Sequence, residues 1–211
     1  MKNLLTFLPF SSPWIIRHHL AETKTVLDVG CGDGEFMLKV NPDKKYEVVG
    51  IDLFKPNIKI AKQKGVYKKV ILSDLRKINF KKKSFDVVLA SQVIEHISKK
   101  EGLKMISVIE KIAKKRIIIY TPNGFAPFDP FEVVDKNPLQ VHKSGWGVEE
   151  MRRYGYKVYG QGNRIIYNTN NGLLYKFRRL KNILVVISFL LAPISYFLPE
   201  TSSMIVAIKD K

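Results

Sequence analysis

Cysteine is scarce in this chain, since Cys31 is the only one among 211 residues. A single thiol cannot form an internal disulfide, which excludes a disulfide-stapled secreted scaffold and is typical of a reducing compartment. Acidic residues are also few: 19 Asp and Glu stand against 36 Lys and Arg, giving a formal net charge of +17. We therefore expect a cytoplasmic protein for which a polyanion, either nucleic acid or an anionic membrane surface, is a candidate partner.

Other patterns are missing as well. No group of His, Cys, Asp and Glu has the spacing of metal ligands, so the sequence predicts no metal. The lysines are spread along the chain and are not interleaved with aromatic residues, which argues against a platform for single-stranded nucleic acid. The apolar start of the chain is short and is interrupted at Pro9, without a small-residue cleavage site, so we do not expect a signal peptide.

The most informative stretch is V-L-D-V-G-C-G-D-G-E-F, residues 26–36, in which an apolar strand runs into a helix. Three glycines alternate between them: Gly30, Gly32 and Gly34. Glycine permits positive φ and lets a ligand approach bare backbone. Three acids lie close by: Asp28, Asp33 and Glu35. These carboxylates disfavour a pyrophosphate and suit a ligand that carries positive charge and hydroxyl groups.

Short apolar runs alternate with helical segments along the chain, which indicates a parallel sheet covered by helices. The predicted strands are Val26–Val29, Tyr46–Ile51, Lys69–Leu72, Phe85–Ala90, Arg116–Tyr120, Lys157–Gly160 and Met204–Lys209. Polar residues follow the second, third and fourth of these strands, at the edge where such sheets bind ligands. Asp52 lies 20 residues beyond Gly32, the offset at which a βαβ unit presents a carboxylate to a ribose.

Taken in order, these motifs resemble the class I S-adenosylmethionine-dependent methyltransferases, in particular the type 11 group with its ubiquinone- and menaquinone-biosynthesis-like enzymes. The resemblance covers residues 23–124 and rests on the motifs L-D-V-G-C-G-D-G, G-I-D, S-D-L and F-D-V-V-L-A-S-Q-V-I-E-H-I. It implies an α/β, Rossmann-like three-layer sandwich. The implied sheet has seven strands, mostly parallel, in the order 3-2-1-4-5-7-6 with strand 7 antiparallel. The implied cofactor is S-adenosylmethionine.

The resemblance also implies which residues hold the cofactor. They are Asp28, Gly30, Cys31, Gly32, Asp33 and Gly34 for the amino-acid half, Asp52 and Leu53 for the ribose, Asp74 and Leu75 for the adenine, and Ser91 and Gln92 for the methionine end. We interpret Cys31 as a small spacer without chemistry of its own. Taken alone, Asp52 could instead cap a helix and Asp74 a turn.

The implied reaction is in-line methyl transfer to a small-molecule or lipid-like acceptor. His142 and His96 are the candidate general bases, although His142 could instead be a capping histidine and His96 could simply open a surface helix. The segment Ser91–Ile94 lacks the N/D-P-P-Y/F motif of methyltransferases that act on planar amides and amines. Two alternatives stay open: an RNA methyltransferase, favoured by the charge, and a non-catalytic cofactor-binding or membrane-associated scaffold.

We expect five regions in a single domain. They are an N-terminal helical lid over the cofactor mouth (1–22), the cofactor-binding core (23–124), a substrate-side segment with strand six (125–171), a basic and apolar helical insertion (172–199) and the last strand (200–211). We expect the insertion to distinguish this chain from soluble relatives. A connector in a soluble protein normally has one polar face, and this one has none.

Within the insertion, Ile183–Leu198 is almost wholly apolar and follows the basic run Lys176–Lys181. It is shorter than the roughly 20 residues that span a bilayer, and Pro193 divides it. Three interpretations remain open: a helix buried against the domain or a dimer partner, an anchor in the membrane interface, and a true span. The second would place a cytoplasmic protein at the inner face of the membrane.

Overall fold

The computed structural model describes residues 8–126, 137–167 and 172–211. Seven strands form one sheet: β1 Thr25–Val29, β2 Glu47–Asp52, β3 Lys69–Leu72, β4 Phe85–Ser91, β5 Ala113–Pro122, β6 Lys157–Asn163 and β7 Ser202–Asp210. Their spatial order is β3-β2-β1-β4-β5-β7-β6. Only β7 is antiparallel to its neighbours, β5 and β6. The predicted Rossmann-like class, strand order and antiparallel seventh strand are confirmed.

The last two strands are longer than the sequence predicted, because their antiparallel pairing continues to Asn163 opposite Ser202. The helices in the described ranges are α1 Ser12–His18, α2 Glu35–Val40, α3 Lys55–Lys64, α4 Lys99–Ile112, α5 Val148–Arg153, α6 Arg164–Tyr167, α7 Leu173–Lys176, α8 Lys181–Leu190 and α9 Ala192–Phe197. No helix in these ranges is long and apolar enough to cross a membrane.

The core lies on both faces of the sheet, because successive strand residues point to opposite sides. One face packs Leu27 and Ile117 against α4, where Ile109 is fully buried. The other face packs Val26 and Leu89 against α1 and α2. With both faces covered, ligands can reach the sheet only at its ends, and the carboxyl ends of β1, β2, β3 and β4 meet at one edge.

Helix α1 is part of this core. Its Ile15 and Ile16 are fully buried against the sheet. Ser11 caps the helix by accepting a hydrogen bond from the backbone of Trp14 at 3.4 Å. The predicted N-terminal lid begins in residues 1–7, which lie outside the described part. The described remainder packs with α2 on one face of the sheet, and Ser12 lines the larger of the two cavities described below.

Candidate active site

The glycine loop after β1 has a backbone that only glycine adopts easily. Gly30, Gly32 and Gly34 have φ values of +72°, +54° and +82°. The backbone N–H groups of Gly30 and Cys31 both donate to the carbonyl of Ile51, at 2.8 and 2.9 Å. A Cβ on Gly30 would lie 2.4 Å from Val93, so the chain cannot carry a side chain there without moving. A Cβ on Gly32 would meet only the Asn57 side chain, at 4.0 Å, so the loop leaves open space above Gly32.

Asp52 holds this loop to the end of β2. Its carboxylate accepts hydrogen bonds from the backbone N–H groups of Gly32 and Phe54, both at 2.8 Å. Burial raises the pKa of Asp52, and the backbone donors oppose that shift. Asp52 and Leu53 both line the smaller of two cavities, together with Gly30 and Gly32. The carboxylate predicted to bind a ribose therefore faces an open site.

Asp74 and Leu75 line the same small cavity, after β3. Asp74 caps a short 3-10 turn by accepting from the backbone N–H of Arg76 at 2.9 Å. It also pairs with the Arg76 guanidinium at 2.6 Å, and this hydrogen-bonded partner lowers the pKa of Asp74. The turn-capping interpretation of Asp74 is therefore correct, and it is compatible with a place beside the adenine.

Asp28 lies apart from the two cavities, and its expected contact with the cofactor stays a prediction. Asp28 is only 3% exposed and lines neither of the two cavities. It lies beneath the loop, where the Tyr67 hydroxyl donates to its carboxyl group at 2.8 Å. Burial raises the pKa of Asp28 to about 7. Asp28 supports the loop from below, and nothing in the sequence pattern singled out its partner Tyr67.

Four other predicted cofactor residues do not line either cavity: Cys31, Asp33, Gly34 and Ser91. The Cys31 side chain is buried with Ile58, Ala61 and Val70, and burial raises the pKa of its thiol, which agrees with a spacer. Asp33 pairs with Lys64 at 2.7 Å on the outside of the loop. The expected contacts of these four residues with the cofactor stay predictions.

Gln92 lies between the two cavities and lines both. Its φ is +53°, a left-handed backbone that non-glycine residues seldom adopt and that is often found at functional sites. Its backbone N–H donates to the carbonyl of Tyr120 at 2.8 Å, which fixes the turn at the end of β4. The side-chain Nε2 is buried without a hydrogen-bond partner among the described residues. A ligand at this junction would give that amide a partner.

The two candidate bases lie on either side of the same junction. His96 lines the small cavity and His142 the large one, and their ring centroids are 4.9 Å apart. Nδ1 of His142 hydrogen-bonds the carbonyl of Ala126. Burial, followed by the nearby His142, lowers the pKa of His96 to about 4, so this imidazole is neutral at neutral pH. His96 belongs to a 3-10 turn, Ile94–His96, and α4 begins only after Ser98.

The large cavity has a volume of about 1050 Å³, at the upper end of the range for ligand sites. Aromatic rings line one wall, where Phe36 and Tyr120 stack at 5.8 Å. Three basic side chains also line it: Arg164, Arg178 and Lys181. Sequence reasoning singled out the basic run that contains Arg178 and Lys181 but did not place it at a cavity, because α2, α6 and the 172–199 insertion converge only in the folded chain.

Residues 27–119 match the family described as a methyltransferase domain. The chain contains a class I methyltransferase domain. The recognition made from the motifs is therefore confirmed, and so is the predicted cofactor, S-adenosylmethionine. The match ends within β5, so the large cavity is built partly by residues beyond it.

Curated relatives share the methyltransferase domain but differ in what their names say they act on. The chain is 31% identical to a ubiquinone biosynthesis O-methyltransferase of Pelagibacter ubique, over 56% of this chain and 62% of that protein. It is 32% identical to the probable tRNA methyltransferase 9B of Mus musculus, over 52% of this chain and 23% of that protein. The chain thus spans less than two thirds of either relative.

A solved structure shares the whole methyltransferase fold. It is a SAM-dependent methyltransferase from Archaeoglobus fulgidus, with a TM-score of 0.58 and 19% identity, and the match covers 100% of both chains. At this level of identity the likeness concerns the fold alone.

Proposed function

We propose that the protein transfers a methyl group from S-adenosylmethionine to a small, lipid-like acceptor. The observation that carries this proposal is the pair of cavities that meet at Gln92. One is lined by the glycine loop and two acids, which suits the cofactor. The other is larger, with aromatic and basic walls, which suits an acceptor that has an apolar body and an anionic group.

Each group that lines the small cavity has one role in binding the cofactor. Asp52 accepts from the ribose hydroxyls, while Asp74 and Leu75 lie beside the adenine. The open backbone at Gly30 and Gly32 admits the amino-acid half. The sulfonium then lies near Gln92, with its methyl group directed at the large cavity.

The chemistry requires little beyond positioning, because a sulfonium methyl group is already electrophilic. The acceptor atom attacks the methyl carbon in line, the S–CH₃ bond breaks, and S-adenosylhomocysteine leaves with the electron pair of that bond. Holding both reactants in line and excluding water are the main contributions of such a site. A hydroxyl acceptor also loses a proton, for which the imidazoles of His142 and His96 are the candidate bases.

The insertion favours contact with lipid, because polar side chains in it are buried while large apolar ones are exposed. In α8 and α9 the buried side chains include Ser188 and Ser195, at 5% and 0% exposure, whereas Leu190 and Phe197 are 69% and 72% exposed. We call the exposed set the apolar face: Ile183, Val186, Ile187, Phe189, Leu190, Ile194, Phe197 and Leu198. A helix in water normally turns its serines outward and its leucines inward.

Basic residues border this apolar face. Lys176, Arg178, Arg179 and Lys181, the basic cluster, are all exposed immediately before it. An apolar surface with a basic border is the pattern of a helix that lies in the interface of an anionic membrane. Arg178 and Lys181 also line the large cavity, so an acceptor could pass from the membrane surface into the site. Peripheral attachment to the inner face of a membrane therefore belongs to the proposal, and burial of the face in a dimer is its rival.

RNA is the second candidate acceptor. The net charge of +17 and the tRNA methyltransferase relative favour it. The exposed apolar face disfavours it, since a polyanion gains nothing from contact with isoleucine and phenylalanine side chains.

A fractionated transfer assay separates these possibilities. The protein is incubated with methyl-labelled S-adenosylmethionine and a cell extract divided into lipid, RNA and small-molecule fractions. We expect S-adenosylhomocysteine to form and the label to enter the lipid fraction. Label in RNA alone would contradict the lipid proposal, and cofactor binding without turnover in any fraction would favour the non-catalytic scaffold.

A further inference from the structure

A glutamate and two histidines converge at the junction of the cavities. Glu95 and His96 belong to the turn after β4, and His142 follows a second 3-10 turn, Pro138–Gln140. One ligand atom from each side chain lies within 4.8 Å of the other two. Because His142 is far from the other two residues in sequence, its proximity could not be read from spacing, and the sequence predicted no metal.

Each histidine has a nitrogen available for coordination. A carbonyl can only accept, so the bond from His142 to Ala126 places the proton on Nδ1 and leaves the lone pair on Nε2. This orientation by a backbone carbonyl is typical of metal-binding histidines. Nδ1 of His96 is buried without a hydrogen-bond partner among the described residues.

Glu95 completes the set from within the core. It is 1% exposed, and its Oε2 accepts from the Thr121 hydroxyl at 3.0 Å. Its backbone carbonyl accepts from the N–H groups of Lys143 and Ser144, at 2.7 and 3.1 Å, which ties the Glu95 turn to the segment that carries His142. These backbone hydrogen bonds hold the Glu95 turn next to the segment that carries His142.

We propose that Glu95, His96 and His142 bind a divalent transition-metal cation at the junction of the two cavities. Two imidazoles and one carboxylate suit Zn²⁺, Mn²⁺, Fe²⁺ or Co²⁺ and leave coordination positions open. Ligand atoms around such an ion lie about 3–4 Å apart, because each is about 2 Å from the metal. Small rotations of the two rings would close the present separation.

This site deepens the proposed function and depends on it for its role. The open positions would face the large cavity, which His142 lines. A hydroxyl oxygen of the acceptor bound there would release its proton to water more readily, because a divalent cation stabilises the alkoxide or phenolate. With the cation bound, the two histidines would act as ligands and not as bases. That oxygen would form the O–CH₃ bond as the S–CH₃ bond breaks. The acceptor class is therefore a hydroxyl compound, and methyl transfer should require the cation.

The test measures cation binding directly, in tag-free protein freed of metal. Co²⁺ is titrated while visible absorption is recorded, because its bands report nitrogen and oxygen ligands, and the stoichiometry is measured by calorimetry. The chain has four histidines, so His18→Ala is a matched control at an exposed position outside the site. Circular dichroism of each variant checks the fold.

We expect one Co²⁺ per chain, with affinity reduced at least tenfold in both His142→Ala and His96→Gln and unchanged in His18→Ala. Glu95→Gln should reduce the affinity for Co²⁺ as well, and its circular dichroism should match that of the wild type. No binding, or equal binding by wild type and His142→Ala, would overturn the metal site. S-adenosylmethionine titration of the metal-free protein tests the proposed function separately, because the cofactor cavity does not need the cation to form.

Discussion

At the scale of single residues, Asp28 shows how an acid in a ligand-binding motif can serve the loop itself. Its carboxyl group is buried under the glycine loop and accepts from Tyr67 at 2.8 Å. Burial raises its pKa from 3.8 to about 7, with a smaller contribution from the nearby Asp52. Between those two pH values the unfolded chain ionises at Asp28 while the folded chain keeps the proton.

This shift predicts a pH dependence of stability. Because the folded state binds the extra proton, the free energy of unfolding should fall as pH rises from 3.8 to about 7 and then level off. Each unit of pKa shift corresponds to about 1.4 kcal/mol. Asp28→Asn cannot ionise and still accepts from Tyr67, so we expect it to lack this decline.

Urea unfolding of both proteins across this pH range measures the difference. The two stability curves should lie close together at low pH, and the variant should be the more stable one above pH 7. A constant offset between the curves would mean that Asp28 has the same pKa in the folded and the unfolded protein, and would contradict the shift.

The residue scale also marks the limit of prediction from sequence. Asp52, Leu53, Asp74 and Leu75 all line the small cavity as expected, because their position at strand ends follows from the alternation of strands and helices. Asp28 does not, since Tyr67 covers it from a distant part of the chain. Whether a motif carboxylate faces a ligand or a buried hydroxyl depends on side-chain packing, which periodicity does not describe.

At the scale of elements, the glycine loop links stability to binding. Gly30 has a φ of +72°, and a Cβ added to it would lie 2.4 Å from Val93. Gly30→Ala should therefore destabilise the protein by about 1–3 kcal/mol and weaken cofactor binding, because the loop must shift into the small cavity. Thermal unfolding and calorimetric titration measure the two effects.

Gly147 provides the matched control for that substitution. A Cβ built there has nothing within 4 Å, and its φ of −103° suits any residue. Gly147→Ala should change stability by about 0.5 kcal/mol or less. Equal effects of the two alanine variants would show that the strain at Gly30 is not what demands glycine.

The α8–α9 insertion is the element on which membrane attachment depends. The protein should sediment with anionic vesicles, gaining about 1 kcal/mol for each residue of the basic cluster near the surface. Salt should weaken this attachment without abolishing it, since the apolar share is not screened. Leu190→Glu with Phe197→Glu should release the protein while leaving cofactor affinity unchanged.

A double substitution elsewhere controls for added negative charge. Ile60 and Leu103 are also exposed, at 41% and 40%, but lie on α3 and α4. Ile60→Glu with Leu103→Glu should leave vesicle binding nearly intact. If the wild type stays in solution and the Leu190/Phe197 variant instead splits a dimer, the apolar face is a subunit interface.

The elements themselves were predicted well, and their surroundings were not. Alternating apolar and polar runs identified all seven strands, because strand burial leaves a direct trace in sequence. The same approach left the insertion with three interpretations, since hydropathy cannot show which side of a helix faces inward. In the structure Leu190 is exposed and Ser195 is buried, so one side of the insertion packs against the domain and its apolar face does not.

At the scale of the whole molecule, the sheet brings the parts of the site together. The carboxyl ends of β1, β2 and β3 form the small cavity, while β5, α6 and the insertion complete the large one. Between them lie Gln92 and the Glu95, His96 and His142 cluster. In the proposed arrangement, cofactor, reaction centre and acceptor would occupy successive positions along one edge of the sheet, and the apolar face would border the acceptor end.

Titration with S-adenosylmethionine, in wild type and in Asp52→Ala, is the most direct test of this arrangement. We expect one cofactor per chain, and a loss of about 1.5–3 kcal/mol in the variant, because Asp52 supplies charged acceptors for the ribose hydroxyls. Asp52→Asn keeps one acceptor and should lose less, and Glu22→Ala, on the surface, should bind as the wild type does. Tight binding of NAD without any response to S-adenosylmethionine would contradict the assignment of the cavity.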